Sequence, residues 1–296
     1  MRRQLTAAIA ASLFIGGASA SAAYPGANGQ IAFSQKCNVM VTSENGEQPT
    51  VLVDSDDCAF AGTWAPSGKR LLVVVGGDTF RNDLFIARST GELVRELVDL
   101  PGGQGGGTWS PNGHRIVFSN ITRSHPGELY KVRADGSELV RLTSKEDYGD
   151  RAPQWSPTAR RIAFVSDRNG SDDIWIMSAS GKNLRPLTEN ITRCDDCAQD
   201  TFGGIDSPSW SPSGEQLLFS ANKPPESSSV YVMDADGSNL HRLGEGTGPV
   251  WSPDGQRIVF HKRRLGKLVT SKVDGSDVRE LAGTDDGFGP DWQPRP

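Results

Sequence analysis

The sequence predicts an all-β chain: a six-bladed β-propeller with four antiparallel strands per blade, closed by the C-terminal strand joining the N-terminal blade. Three observations predict it. A W-x-P motif recurs at Trp64, Trp109, Trp155, Trp210, Trp251 and Trp292, at spacings of 45, 46, 55, 41 and 41 residues. A repeat of about 40–45 residues has the length of one four-stranded blade. The apolar runs between the motifs are three to five residues long, which is the length of strands, and no useful helical periodicity follows the first 23 residues.

Each repeat reads as strands a to d. The W-x-P tryptophan ends strand a. Pro pre-sets the first central position of a turn, and Gly68, Gly113, Gly214 and Gly255 supply a residue that tolerates positive φ near its end. The repeat at Trp155 departs from this, with Ala159 in the glycine's place. Strand b follows at 71–75, 116–118, 162–165, 217–219 and 258–260, and strand c at 84–86, 129–132, 174–177, 230–233 and 268–269. Asp135-Gly136, Asp236-Gly237 and Asp274-Gly275 are hairpin signals leading into strand d. The ends complete the count. Residues 29–33, 39–41 and 51–53 are strands b, c and d without a preceding W-x-P, and residues 289–294 are a strand a with nothing after it. Pairing them closes the ring and removes its free edges. Three residues before each motif tryptophan stand Ala61, Gly106, Ala152, Ser207, Gly248 and Gly289. Small residues there are expected to let six innermost strands crowd around one axis.

The first 23 residues are expected to be a signal peptide, with the propeller spanning 24–296. Arg2 and Arg3 precede an apolar, Ala-rich stretch at 5–18, and Ala18-Ser19-Ala20 and Ala20-Ser21-Ala22 are small-x-small cleavage sites. The apolar stretch is short for the ~30 Å of a bilayer core. The mature chain is therefore expected to be exported, periplasmic or secreted, without a membrane span and monomeric. Exported compartments are oxidising, so Cys37, Cys58, Cys194 and Cys197 read as disulfide candidates. Cys37 falls in the b–c loop of blade 1 and Cys58 in the next d–a loop, on one face, which predicts a Cys37–Cys58 bridge. Cys194 and Cys197 form a CxxC in the longest d–a loop, read as a loop disulfide; a redox motif would want a βαβ context and a zinc site two further ligands.

The formal charge of −5 excludes a generic nucleic-acid binder, which needs a basic footprint. The b–c and d–a loops share one face and are long and variable, so the binding face is placed there. The d–a loops are acidic, and the expected binding residues are Asp147, Asp150, Arg151, Asp206 and Asp286. Carboxylates and carbonyls suit a hard cation such as Ca²⁺, although no EF-hand spacing is present; ordinary turn chemistry of Asp is the alternative. No G-x-S-x-G, H-E-x-x-H or glycine-rich phosphate loop occurs in the mature chain, and no catalytic residue is assigned.

The W-S-P-x-G motif, the stretch Ser166-Asp167-Arg168-Asn169-Gly170 with Asp173-Ile174-Trp175, and the Asp-Ala-Asp-Gly-Ser turn at 234–238 resemble the WD40-like repeats of TolB-type β-propellers. The resemblance runs from about Asn28 to Pro294. TolB carries an α/β domain ahead of its propeller, which this chain is expected to lack. The expected function is a non-enzymatic scaffold that binds a protein or cell-envelope component through its acidic loop face. The alternative is a carbohydrate-active or other hydrolytic or lyase enzyme with carboxylates, metal-bound or not, at the channel mouth.

Overall fold

A computed structural model describes residues 23–76, 82–124, 126–143, 148–189, 191, 204–206, 208–222 and 228–295. These form six four-stranded antiparallel sheets, one per blade, each with strand a innermost. Blade 1 is the composite one. Its strand a is the C-terminal Phe288–Arg295, which pairs with the N-terminal strand b, Ala27–Gln35, through Ile31 opposite Trp292 and Ala32 opposite Asp291. The predicted closure is therefore present, and it is antiparallel like every other pairing in the ring.

The middle strands are buried on both faces because neighbouring blades pack face to face. Strand b of blade 4, Arg161–Ser166, is exposed only at Arg161. The apolar clusters lie between blades. One joins Leu72, Trp109, Phe118, Ile174, Trp210 and Phe219 from blades 2 to 5. The outer strands d are exposed and short; those of blades 3, 4 and 6 have two residues each, Val140–Arg141, Arg185–Pro186 and Arg279–Glu280. Short edges offer little to pair with another chain.

The W-S-P turn has a local reason for its serine. The hydroxyls of Ser110, Ser156, Ser211 and Ser252 accept from the backbone N–H of Arg115, Arg161, Gln216 and Arg257 at 2.9, 3.1, 3.0 and 2.9 Å. These bonds tie the end of strand a to the start of strand b. The turn glycines are left-handed, with φ of 64° to 72°, and Ala159 adopts the same conformation at 60°.

The tryptophans link blades. All six are at most 4 % exposed. The Trp109 indole N–H donates to the Thr63 carbonyl at 3.1 Å, and that of Trp210 to the Gln154 carbonyl at 3.2 Å, each on the preceding blade.

The small residues before the tryptophans have a different first cause from the crowding expected of them. Strand a is bulged there in blades 1, 2, 3, 4 and 6. Gly106, Ala152, Gly248 and Gly289 have positive φ, between 51° and 66°. A bulge of this kind favours a residue without a β-carbon clash. Crowding holds at Gly106, whose Cβ would stand 3.1 Å from the Ala152 Cα, but a Cβ on Gly248 would meet nothing within 4 Å.

One short element was not expected: a 3₁₀ turn at Arg263–Leu265 inside the basic b–c loop of blade 6. Among the described residues no helix is long and apolar enough to cross a membrane. The expected leader lies almost wholly outside the described residues, as do Cys194 and Cys197.

Candidate functional site

The loop face is held by the b–c loops and the d–a linkers together, and the disulfide shows how. Cys37 and Cys58 are bridged, joining the b–c loop of blade 1 to the linker that enters blade 2. Cys37 sits at a tight tip with φ of 65°, and its carbonyl accepts from Ala59 N–H at 2.9 Å.

Blade 4 carries the densest polar network on this face. Strand a begins at Asp150 and Arg151, opposite Ser166 and Val165 on strand b. This register sets both side chains against the blade's own b–c loop. Arg168 in that loop donates from Nε to Asp150 Oδ1 at 3.1 Å and from Nη2 to Oδ2. The same Nε lies 3.0 Å from Ser166 Oγ. The guanidinium is stacked among Tyr148, Trp175 and Phe164, with ring centroids at 5.1, 5.7 and 5.9 Å. A planar cation suits this setting, because it pairs bidentately with a carboxylate while lying over aromatic faces. Arg151 pairs with Asp172, whose carboxylate also accepts from Ile205 N–H at 3.3 Å. Asp173, fully buried, accepts from Thr188 Oγ1 at 2.9 Å.

The sequence-expected residues therefore separate into distinct settings. Asp150 is 2 % exposed, an internal latch, and Arg151 is partly buried in its ion pair. Asp206 is exposed and accepts from Ser220 Oγ at 2.6 Å. It is joined to the Asp172 pair through its neighbour Ile205. Asp286 is exposed on the linker from blade 6 to blade 1, with φ of 55° and its N–H on the Gly266 carbonyl at 2.7 Å. No described contact connects it to the blade 4 network. Asp147 lies outside the described residues. Arg168, Asp172 and Asp173, which the sequence did not single out for this face, complete its polar network. The Asp167-Arg168 dipeptide before Gly170 was the available signal, but its partners are set by strand register.

Electrostatics differ around the ring. On blade 6, burial lowers the pKa of His261 below the usual imidazole value, Arg263 lowers it further, and Asp286 opposes both. On blade 2, burial and then the Asp99 charge raise Asp83, while burial, Asp83 and Asp99 raise Glu96. These carboxylates stand at the ends of outer strands c and d, and Glu96 and Asp99 are exposed rather than enclosed in a cleft. Exposed acids also flank blade 1, at Asp54, Asp56 and Asp57 on one side and Asp285 and Asp286 on the other. Phe60 and Phe288, at the adjoining strand ends, have ring centroids 6.1 Å apart. Among the described residues no three His, Cys, Asp or Glu side chains converge as a metal site. The opposite, turn-rich face has an open cleft of about 210 Å³ lined by Arg70, His114, Arg133 and Asp135.

Comparison with known proteins agrees with this architecture. TolB from Acinetobacter baumannii superposes with a TM-score of 0.73 at 20 % identity, over 90 % of this chain and 67 % of that one. An uncharacterised protein of Agrobacterium fabrum is 30 % identical over 114 residues, 35 % of each chain. The Tol-Pal system protein TolB of Anaeromyxobacter dehalogenans is 32 % identical over 92 residues, 31 % of this chain and 18 % of that protein. The matched stretches thus span about a third or less of these two relatives. Residues 21–196 match the family model of the TolB β-propeller domain, more than half of the chain, and the protein belongs to that family.

Proposed function

We propose that this protein is an exported, non-enzymatic propeller scaffold that binds a protein or a cell-envelope component through its loop face. The observation that carries the reading is the division of charge on that face. The inner carboxylates, Asp150 and Asp172, are neutralised by Arg168 and Arg151, which fixes the loops. The outer ones, Asp54, Asp56, Asp57, Asp206 and Asp286, face solvent. Exposed like charges on a rigid frame steer and select a basic partner surface. A hydrolytic site would instead gather carboxylates of raised pKa in a cleft. The raised pair, Asp83 and Glu96, stands on outer strands. The Cys37–Cys58 bridge is consistent with an oxidising compartment. The leader is proposed to be cleaved after Ala20, so that the mature chain begins at Ser21 and keeps Ala23 and Tyr24, which N-terminal sequencing of the exported protein checks.

Charge reversal tests the face. Crosslinking to envelope extract is compared for the unmodified protein, for Asp206→Lys with Asp286→Lys, and for Asp135→Lys on the turn face. Loss of specific adducts in the loop-face variant alone is expected. Equal crosslinking in all three, or loss only with Asp135→Lys, overturns the assignment. Added Ca²⁺ that raises Tm in a saturable way would place a cation in the acidic loops.

A further inference from the structure

The residues ahead of the first strand run inward rather than along a sheet. Strand b of blade 1 begins at Ala27. Before it, the Ala23 N–H donates to the Trp210 carbonyl at 3.2 Å, on blade 5. The Tyr24 hydroxyl donates to the Trp109 carbonyl, on blade 3. Burial raises the phenol's pKa most, a hydrogen bond with the Thr108 side chain on blade 3 lowers it, and the Asp291 charge on blade 1 raises it further. Two consecutive residues therefore hydrogen-bond to the inner strands of blades 3 and 5, which are not neighbours in the ring. A segment that reaches both lies toward the axis of the ring. Both residues are 4 % exposed.

The segment enters from the turn face. Both carbonyls it uses belong to the tryptophans that end strand a, next to the W-S-P turns. Further along, the Asn28 side-chain amide donates to Asp254 in the blade 6 turn and to Glu44 in the blade 1 turn, each at 3.0 Å. The chain thus crosses the turn face from the axis to blade 1.

Tyr24 belongs to the buried apolar cluster that holds Trp109 and Trp210, and the polar side chains near its phenol are Thr108 and Asp291. The residues preceding the tryptophans are Thr63, Thr108, Gln154, Ser209 and Asp291, with Val250 sixth, and all are buried. Thr63 donates to the Gly107 carbonyl at 3.0 Å, and Asp291 accepts from the Trp64 N–H at 2.6 Å, each on the next blade. Both amide atoms of Gln154 are buried without a hydrogen bond among the described residues, and the Thr108 side chain meets the Tyr24 phenol. Ala23 and Tyr24 are held by individual hydrogen bonds rather than by a strand ladder, so opening at this end costs less than opening of a sheet.

We propose that residues 23–25 form a displaceable plug, which closes the axis of the ring at the turn face, in an internal socket with apolar walls and a polar end for the chain's own Tyr24. An aromatic ring with a hydroxyl tip matches a site that is apolar at its walls and offers a carbonyl at its end. The device goes beyond the binding role of the loop face and does not depend on it.

Native-state hydrogen exchange on the intact protein tests the proposal. The Ala23 amide is expected to exchange about 100-fold faster than those of strand a in blades 3 and 5, well below the unfolding transition. Exchange at the same rate as those strands makes the segment part of the cooperative core and overturns the proposal. Exchange at the free-peptide rate shows that the plug is not docked and also overturns it. A second measurement uses Tyr24→Ala in the full chain. 4-Methylphenol is expected to raise the Tm of this variant and toluene to leave it unchanged; no rise with 4-methylphenol removes the socket. Where Tyr24→Ala does not fold, Tyr24→Phe keeps the ring and is expected to speed Ala23 exchange about tenfold without altering the strand amides. Unaltered Ala23 exchange in Tyr24→Phe refutes the role of the hydroxyl.

Discussion

Replacing Ala159 by glycine is expected to stabilise the protein. Ala159 occupies the W-S-P turn position that is glycine in blades 2, 3, 5 and 6, and its φ is 60°. A left-handed backbone costs an L-residue roughly 1–2 kcal/mol. Glycine removes that strain but gives the unfolded chain about 0.4–1 kcal/mol of extra freedom. The difference is a gain of about 0.5–1 kcal/mol, or roughly 1–3 °C in Tm for a domain of this size. Gly214 supplies the reciprocal. A Cβ there would lie 3.4 Å from Thr158 Cγ2 and 3.7 Å from Pro157 Cδ, so the site has room and only the φ of 72° opposes it. Gly214→Ala is expected to lose about 1 kcal/mol. Gly68 adds a clash, because its Cβ would stand 2.2 Å from the Pro294 carbonyl oxygen. Gly68→Ala is expected to lose about 2–3 kcal/mol, strain and overlap together. Urea unfolding followed by tryptophan fluorescence measures all three as shifts in midpoint at constant slope. A lowered midpoint in Ala159→Gly, or an unchanged one in Gly214→Ala, refutes the reasoning.

Three further outcomes follow from the described contacts. Removing the disulfide with Cys37→Ser and Cys58→Ser together is expected to cost about 3 kcal/mol, since the bridge closes a loop of sequence separation 21; a urea midpoint equal to the oxidised protein's contradicts this. Arg168→Met leaves the Asp150 carboxylate buried and unpaired, with an expected loss of about 3–5 kcal/mol, and adding Asp150→Asn recovers part of it. A double variant no more stable than Arg168→Met argues against the pairing. His261 has a folded pKa below its unfolded value of 6.5, so the folded state binds fewer protons than the unfolded state in that range. Stability from this group is present above pH 6.5 and is lost as pH falls toward the folded pKa. His261→Gln is expected to flatten that part of a Tm–pH profile, and Asp286→Asn, which removes the opposing charge, to steepen it.

The architecture was legible because a propeller writes its period into the chain. Tryptophan, proline and glycine recur at one place in the blade for separate reasons: packing between blades, a preset φ, and a left-handed turn. The closing strand was legible because residues 289–294 carried a motif with no sheet of their own. The bulge in strand a was not, since Ala152 holds a left-handed conformation without being glycine, and composition does not report φ. Nor was the plug. Residues 23–25 precede the repeats and carry no periodic signal, and Ala23 and Tyr24 acquire their partners only when blades 3 and 5 come together.

The loop face shows why counting charges misplaces a site. The d–a loops contain many carboxylates, and their sum suggests one strong field at the channel mouth. Strand register then sorts them. Asp150 is the first residue of strand a, so its pairing with Ser166 sets it beside Arg168 and removes it from solvent. Asp206 and Asp286 stand in linkers beyond such pairing and keep their charge at the surface. A residue's distance from the start of its strand, more than its identity, therefore decides whether it fixes a loop or keeps its charge at the surface. In the role proposed for this face, recognition falls to the linker residues, and the ion pairs beneath them hold those linkers in place.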